Sequence, residues 1–537
     1  MNETASLLRI TGVTLGIPSV LAILSVIALL FPRAYRLTGR LLGWFTFAGS
    51  LIAFALTFLI VNMIFQVESQ SYSYPVNLLG ENLVTIDFHI DSLSVFFILL
   101  VNTIALAVSW NDLAYLAEIE PQNKWQQPVT FHALVNFFHF TMLLVPVIDN
   151  LVGVWIAIEL TTVGSAFLLA FERKRSSWEA TWKYLIVTST GIILALLGTI
   201  FLANAIPEDR LGDLLQANQG DKALDWTYLM SNAHFLKPTF VWFAFLFALA
   251  GYGTKAGLAP MHTWLPDGHG EAPSPVSALL SGVLLKSALY VILRFYTLTN
   301  LVLKSNIETS AVLLVIGLLS LIIATPFILK ENPFKRVLAY HSLEHMGIIT
   351  VGLGLGGSIA IFGAILHMFN HAITKALMFL TFGNIMKNYA KHGIDQREIT
   401  GILRSMPITG AILALGGLAL VGTPPFSIFM SEFLILWGGI SPLINSASQE
   451  SPFPKGVIIT AIVLFILSTT LIFYGLVKHL TKLVLGKAKE DLRFGKPSLA
   501  EIGPLLFLFV IMLVMGIWIY PPLATLIQKS VAIVIQQ

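Results

Sequence analysis

The sequence contains no cysteine. That removes disulfides, thiolate nucleophiles, cysteine-ligated zinc and iron–sulfur clusters from any account of what it does. It leaves the redox compartment open, because a chain without cysteine suits either side of a membrane. Charge is scarce too: only 11% of the 537 residues are Asp, Glu, Lys or Arg, against about 25% in a soluble domain. A net charge of +3 is too small to point to nucleic acid. No Walker motif, nucleophile elbow or cofactor-attachment signal occurs. Gly352, Gly354, Gly356 and Gly357 resemble a fragment of a dinucleotide loop, yet no strand pattern precedes them. No cofactor is expected, and no redox or hydrolytic site is visible. Nor is a cleavable signal peptide expected, since the apolar run 12–31 leads into arginine-rich sequence with no small-residue cleavage site.

What is present is apolar sequence, 56% of the chain, with a mean hydropathy of +0.80. Runs long enough to cross about 30 Å of hydrocarbon fall at 12–31, 42–66, 92–111, 130–148, 151–171, 183–205, 238–260, 272–297, 310–329, 336–354, 358–386, 407–438, 457–485 and 503–533. The expectation is an all-α polytopic membrane protein of about 14 spans. The third run closes on Asn111-Asp112, and the fourth carries His132 and His139.

Loop charges alternate along the chain. Every second loop is basic, holding Arg33, Arg36 and Arg40, then Lys124, Arg173 to Arg175 with Lys183, Lys330, Lys335 and Arg336, Lys387 to Arg404, and Lys478 to Lys496. The opposite side holds only eight basic residues, and its long loops are acidic, with Glu68, Glu81, Asp87 and Asp91, then Glu208, Asp209, Asp213, Asp221 and Asp225. The positive-inside rule therefore puts the basic loops in the cytoplasm and both termini outside, in a bacterial or archaeal inner membrane.

Two spans are broken, the seventh at Gly257-Leu258-Ala259-Pro260 and the twelfth at Gly422-Thr423-Pro424-Pro425. Proline within a span frees backbone groups that only protein or a water-filled cavity can satisfy. Breaks five spans apart suggest two five-helix inverted repeats, spans 4–8 and 9–13. The expected organisation is an N-terminal three-helix segment (1–129), a first repeat (130–297), a second repeat (310–485), and a C-terminal loop with the last helix (486–537).

Five charges lie at membrane depth: Glu159, Lys255, Lys286, Lys375 and Glu432. A lysine at the centre of a lipid-embedded helix costs about 3 kcal/mol on insertion scales. Structural ion pairing, for example Glu159 with Lys255, would explain one such pair. Five charges with a surplus of lysine favour a proton relay, because a buried amine among amines and carboxylates can change protonation as its neighbours move. His341, Glu344 and His345 lie in AYHSLEHMG, and His367, His371 and Lys375 share one helical face. His-x3-His also suits zinc, but HExxH is missing and no third ligand is at hand locally, so no metal is expected. In the loop between the two lysine-bearing spans, His262, Asp267 and His269 serve either as a gate or proton inlet or as helix caps.

The segment GYGTKAGLAPMHTWLPDGHGEAPSPVSALLSGVLLKSALY is similar to the signature of the antiporter-like membrane subunits of respiratory complex I and membrane-bound hydrogenases. Those subunits share a proton-conducting transporter domain with Mrp cation/proton antiporters. The resemblance spans roughly residues 90 to 485. VWIAIELTTVGSAFLLAF, EATWKYLIVTSTGIILALLGT and LEHMGIITVGLGLGG look nearest to the F-type subunit of hydrogenase-4 complexes, with the complex I chain 4 subunit next. The resemblance implies that Glu159 pairs with Lys255, that Lys286 links two half-channels, that His345 and His371 lie on the central axis, and that Glu432 is the terminal residue. Glutamate there matches the chain 4 branch, whereas Lys375 is similar to a lysine of the chain 5 branch.

It further implies a subunit, free of redox cofactors, that translocates protons or sodium within a redox-driven complex of the NADH/quinone oxidoreductase or hydrogenase type. Its partners would be other membrane subunits, including further antiporter-like ones, and a peripheral redox module. The alternative is a cation/proton antiporter subunit, or the ion-conducting subunit of an inorganic-carbon uptake complex.

Overall fold

A computed structural model describes residues 2–28, 35–67, 69–78, 81–118, 128–216, 220–444, 452–487, 492 and 494–536. Arg33, Glu68, Lys124, Lys489 and Arg493, used above in the charge alternation, lie outside them. Helices coincide with all the expected spans. They are α1 (Asn2–Ala28), α2 (Tyr35–Val67), α3 (Ser92–Tyr115), α4 (Pro128–Leu144), α5 (Leu151–Leu169), α6 (Arg175–Ala205) and α7 (Pro238–Ala256). Then follow α8 (Ser274–Leu303), α9 (Ile307–Leu329), α10 (Phe334–Leu355) and α11 (Gly357–Ala390). The split α12 (Pro407–Leu420 and Ser427–Ile444), α13 (Lys455–Leu485) and α14 (Leu499–Ile517 and Pro521–Ile535) complete the series.

Twelve helices among the described residues are long and apolar enough to cross a membrane. The two other spans are α4, which is short, and α10, which carries Lys335, Arg336, Glu344 and two histidines. α14 is interrupted at 518–520, where Pro521 and Pro522 cannot donate to a helical ladder.

The spanning part is all helical, as the sequence predicts. Outside it a hairpin of β1 (Ser69–Leu78) and β2 (Glu81–Asp91) pairs antiparallel between α2 and α3, with Ser69 opposite Asp91. The alternating β-branched and aromatic residues of VTIDFHI carry that signal. The hairpin ends on a helix cap: Asp91 accepts from Ser94 N at 2.9 Å and starts α3. The same carboxylate takes Arg294 of α8 bidentately, at 2.7 and 2.9 Å, so the cap also ties α3 to α8.

α3 and α8 form the centre of the bundle, with their apolar windows 100% buried. His139 of α4 is glue rather than a site. His139 Nε2 meets Asn102 Oδ1 of α3 at 2.9 Å, and Asn102 donates to Thr57 of α2, also at 2.9 Å. α6 and α7 approach so closely that a Cβ on Gly251 would lie 2.5 Å from the Gly191 carbonyl.

Both expected breaks are present. α7 starts at Pro238, whose missing N–H costs nothing in a first turn, and ends at Gly257 in the left-handed region with φ +73°. The loop that follows holds a short helix, Leu265–Glu271, before α8. α12 breaks at 421–426, with Gly422 also left-handed, at φ +69°. A third irregularity, not foreseen, is a turn of π-helix at Leu280–Leu284 within α8.

Candidate functional site

The first charged group lies where α5, α6 and α7 meet. Glu159 is half-buried, and Lys255 is fully buried in the last turn of α7. They do not touch. Lys255 Nζ donates to Thr162 Oγ1 at 2.5 Å, and the Thr162 hydroxyl donates to Glu159 Oε2 at 3.1 Å. Thr162 can do this because it follows Glu159 by three residues on one helical face. Lys255 Nζ also donates to the Tyr184 hydroxyl at 2.9 Å, and Tyr184 shares a 2.6 Å bond with Ser165. The amine is thus held by two neutral hydroxyls, with its carboxylate one hydroxyl away. Sequence reasoning found Glu159 and Lys255 but missed Thr162 and Tyr184. Their signal was present in IELTT and WKYLIV, on the α5 and α6 faces turned toward α7.

Lys286 and Lys375 occupy the middle of the protein, both fully buried. The π-turn explains where Lys286 finds a partner. Widening the ladder frees carbonyls, and Lys286 Nζ donates to the backbone oxygen of Ser281 inside that turn. Ser281 Oγ in turn meets Ser342 Oγ of α10 at 2.8 Å. Lys375 on α11 donates to the Leu338 carbonyl of α10, with its amine 5.3 Å from the centre of the Phe379 ring. Neither amine has a carboxylate in salt-bridge contact among the described residues. Lys286 lies within Coulombic reach of Lys375, and Lys375 within reach of Glu344.

Beyond them α10, α11 and α12 assemble four histidines and two carboxylates. His341 Nδ1 meets Glu344 Oε2 at 2.6 Å, and His345 Nδ1 meets His367 Nε2 at 3.0 Å. The rings of His345 and His371 stack at 4.6 Å. His367 Nδ1 is bonded to Ser431 Oγ at 2.9 Å, and Asn370 reaches the same hydroxyl at 3.2 Å. Ser431 and the half-buried Glu432 open the second half of α12, which the break at Gly422 turns toward α11. A Cβ on Gly422 would overlap the Glu432 carboxylate.

The expectation that no third metal ligand is at hand does not hold. His341, Glu344 and His345, and likewise His345, His367 and Glu432, place ligand atoms within 4.8 Å of one another. The third ligand of the second group was invisible locally because it arrives on another helix. In both groups ring nitrogens are already hydrogen-bonded as given above, an arrangement that suits proton exchange as well as coordination.

The loop residues do not form one group. Asp267 is a strut that accepts from Lys183 of α6 at 3.0 Å and from Arg336 of α10 at 2.8 Å. His269 is fully buried, with neither ring nitrogen hydrogen-bonded among the described residues, and its ring lies 5.9 Å from that of Phe379. Burial pushes its imidazole well below the ordinary histidine range, and the charges of Lys375, Lys286 and Lys335 push the same way, so it is held neutral. His262 is half-buried, and burial also moves it down, opposed by the Pro260 carbonyl.

The structure thus brings Glu159 and Lys255 into one group and His345, His371 and Glu432 into another. Lys286 and Lys375 lie within Coulombic reach of His345 and His371 in the second group. Among the described residues no hydrogen bond joins Lys255 to Lys286.

Comparisons with known proteins agree with this arrangement. Residues 149–447 match the family described as NADH:quinone oxidoreductase/Mrp antiporter, transmembrane. The chain is 38% identical to the hydrogenase-4 component F homolog of Methylacidiphilum infernorum, over 68% of this chain and 73% of that protein. It is 28% identical to NAD(P)H-quinone oxidoreductase chain 4 2 of Thermosynechococcus vestitus, over 94% and 89%. Its fold is that of chains in the archaeal membrane-bound sulfane sulfur reductase (TM-score 0.80, 20% identity, 98% of each chain) and in the Mrp complex of Dietzia sp. (TM-score 0.78, 18% identity, 98% of each chain). A chain of Thermus thermophilus respiratory complex I superposes with TM-score 0.73 at 21% identity, over 98% of this chain and 99% of that one. The sequence, the broken helices and these matches agree, and the chain belongs to the family of antiporter-like, multi-pass membrane subunits that the NADH:quinone oxidoreductases share with Mrp antiporters.

Proposed function

We propose that this chain translocates protons as a membrane subunit of a multisubunit redox-driven complex of the NADH/quinone oxidoreductase or hydrogenase type. The path runs from Glu159 and Lys255 through Lys286, His345, His371 and Lys375 to Glu432, with His269 as an inlet from the inner side. The single observation that carries this reading is the row of buried titratable side chains. Its two ends, Glu159 and Glu432, are half-buried carboxylates, and between them the path takes Lys255, Lys286, Lys375, His345 and His371, none of which has a carboxylate in salt-bridge contact among the described residues. A structural ion-pair network would match charges one to one. Here they are bridged by hydroxyls and backbone carbonyls, so a proton can be gained or lost without breaking a salt bridge.

Residues 130–297 and 310–485 would be the two half-channels, each with one broken helix, and 1–129 and 486–537 would flank them. The chain would reside in the inner membrane with both termini outside, and its partners would be further antiporter-like subunits and a peripheral redox module.

Replacing Lys255 by Met in the assembled complex should abolish proton pumping while leaving assembly intact; unchanged pumping sinks the relay. Co-purifying subunits separate a redox-driven complex from a cation/proton antiporter or an inorganic-carbon uptake complex. A dehydrogenase or hydrogenase module supports the first, and antiporter or carbonic-anhydrase-like subunits support the others.

A further inference from the structure

Away from the row of charges, a cavity of about 460 Å³ opens at the end of the bundle that carries the basic loops. It lies between the turn joining α9 to α10, the segment that follows α11, and the last turn of α13. Its polar lining is Arg336, Arg397, His479 and Lys482, with Gln396 and Glu331. Three fixed cations thus face a single carboxylate. Glu331 does little to cancel them, because its 3.4 Å contact with Lys482 is made by side chains that are 71% and 66% exposed. The Arg397 guanidinium has no ion pair or hydrogen bond among the described residues, and Arg336 is shared with Asp267.

Gln396 adds a second, independent requirement. Its Oε1 is buried and accepts no hydrogen bond among the described residues. Cations nearby would satisfy an anion, but an orphaned carbonyl oxygen needs a donor. The occupant therefore offers acceptor oxygens with negative charge, and a hydroxyl or ammonium beside them meets Gln396 Oε1 once that side chain turns toward the cavity.

The site also has a fixed depth. The turn after α9, the start of α10 and the last turns of α13 line it, and the ends of membrane-spanning helices lie near lipid headgroups. Phe334, Ile399 and Leu483 supply apolar wall. Farther into the membrane, Phe327 of α9 and Tyr474 of α13 are 40% and 62% exposed, leaving apolar surface for acyl chains.

We propose that this cavity binds the headgroup of an anionic phospholipid with a hydroxyl-bearing head, of the phosphatidylglycerol class. Arg397 and Lys482 hold the phosphate, and a headgroup hydroxyl donates to Gln396 Oε1. A zwitterionic headgroup would leave the surplus positive charge unmatched. Free phosphoglycerol shares the polar chemistry but not the acyl chains.

The full chain, purified in detergent and stripped of lipid, is titrated with phosphatidylglycerol, phosphatidylcholine or free glycerophosphoglycerol. Retained lipid is counted by native mass spectrometry and thermal stability is followed in parallel. Phosphatidylglycerol should be retained in preference to phosphatidylcholine. The double variant R397Q/K482Q removes two cations and should weaken that retention about 30-fold. Both positions are exposed, so the variant should fold, and an unchanged elution profile on gel filtration checks this. Gln396→Leu should weaken phosphatidylglycerol while leaving phosphatidic acid, whose head lacks the glycerol hydroxyls, unaffected. Equal retention of both lipids, equal retention by the double variant, or equal protection by free glycerophosphoglycerol would each overturn the proposal. None of these outcomes depends on whether the chain pumps protons.

Discussion

Thr162 stands between Lys255 and Glu159, 2.5 Å from the amine and 3.1 Å from the carboxylate. The pair is therefore not a salt bridge but two ends of a hydrogen-bonded string that a hydroxyl completes. A direct contact would fix the amine in its charged form. A hydroxyl can accept from the amine and donate to the carboxylate, and it can reverse both roles.

This makes Thr162 testable. Thr162→Val keeps the shape and removes the hydroxyl, leaving Lys255 with Tyr184 alone. Proton pumping into proteoliposomes should fall by about tenfold or more, the loss of one charged hydrogen bond, with assembly unchanged. Thr162→Ser restores the hydroxyl and should restore most of the rate. Pumping by the Val variant at the wild-type rate would mean that Lys255 and Glu159 communicate by another route.

At the other end of the row, Gly422 has φ +69° and no room for a Cβ, because the Glu432 carboxylate fills that space. Gly422→Ala should cost about 1–2 kcal/mol from the left-handed backbone alone, with the collision adding to it. The melting temperature in detergent and the pumping rate should both fall. Combining it with Glu432→Asp, which withdraws the carboxylate by one methylene, should recover part of the stability but not the rate. If the double variant is no more stable than Gly422→Ala alone, the contact between these residues is not what limits the site.

How far the sequence could be read follows from which distances are local. Lysines and glutamates stand out in apolar runs, so Glu159, Lys255, Lys286, Lys375 and Glu432 announce themselves one residue at a time. The two helix breaks do the same through glycine and proline. What bridges those charges is ordinary: Thr162, Tyr184, Ser281, Ser342 and Ser431 are hydroxyls of the kind that cap and bend any membrane helix. Only the packing of α5 on α6 and α7, or of α10 on α11 and α12, shows that they face a charge. Asp112 is a harder case. In sequence it closes the third span, yet it is fully buried and neither carboxylate oxygen is hydrogen-bonded among the described residues. Its depth depends on α3 being the central helix, which no local pattern conveys.

Asp91 and Arg294 give a prediction about stability. Burial would raise the Asp91 carboxyl, but the Arg294 guanidinium and His89 outweigh it and hold the group well below the usual carboxylate range. A depressed value means stabilisation that is complete above the unfolded value, about 3.9, and is lost as the pH falls through the folded one. Arg294→Met would leave a buried carboxylate without its partner and should cost about 3–5 kcal/mol. Arg294→Lys should recover little, because an ammonium cannot bond both oxygens in the fork geometry. Thermal unfolding of the variants at pH 7 and pH 4 checks both points. The deficit of Arg294→Met relative to wild type should shrink at the lower pH.

Asp225 leads to the opposite dependence. It lies in the loop between α6 and α7, where its carboxylate accepts from Asn150 Nδ2 at 2.8 Å. Burial raises it to about 8, opposed by the Asn150 bond and reinforced by the charges of Asp149 and Asp87. The folded loop therefore holds a proton that the unfolded loop would release near pH 3.9. Stability from this group is complete below that value and is lost as the pH rises through about 8. Hydrogen exchange over residues 220–236 should accelerate severalfold between pH 6 and pH 9, after correction for the intrinsic rate. Asp225→Asn, which cannot ionise and keeps an acceptor for Asn150, should remove that acceleration and leave the loop as protected at pH 9 as at pH 6. A variant with the same pH dependence as wild type would place the titrating group elsewhere, with Asp149 and Asp87 the next to replace.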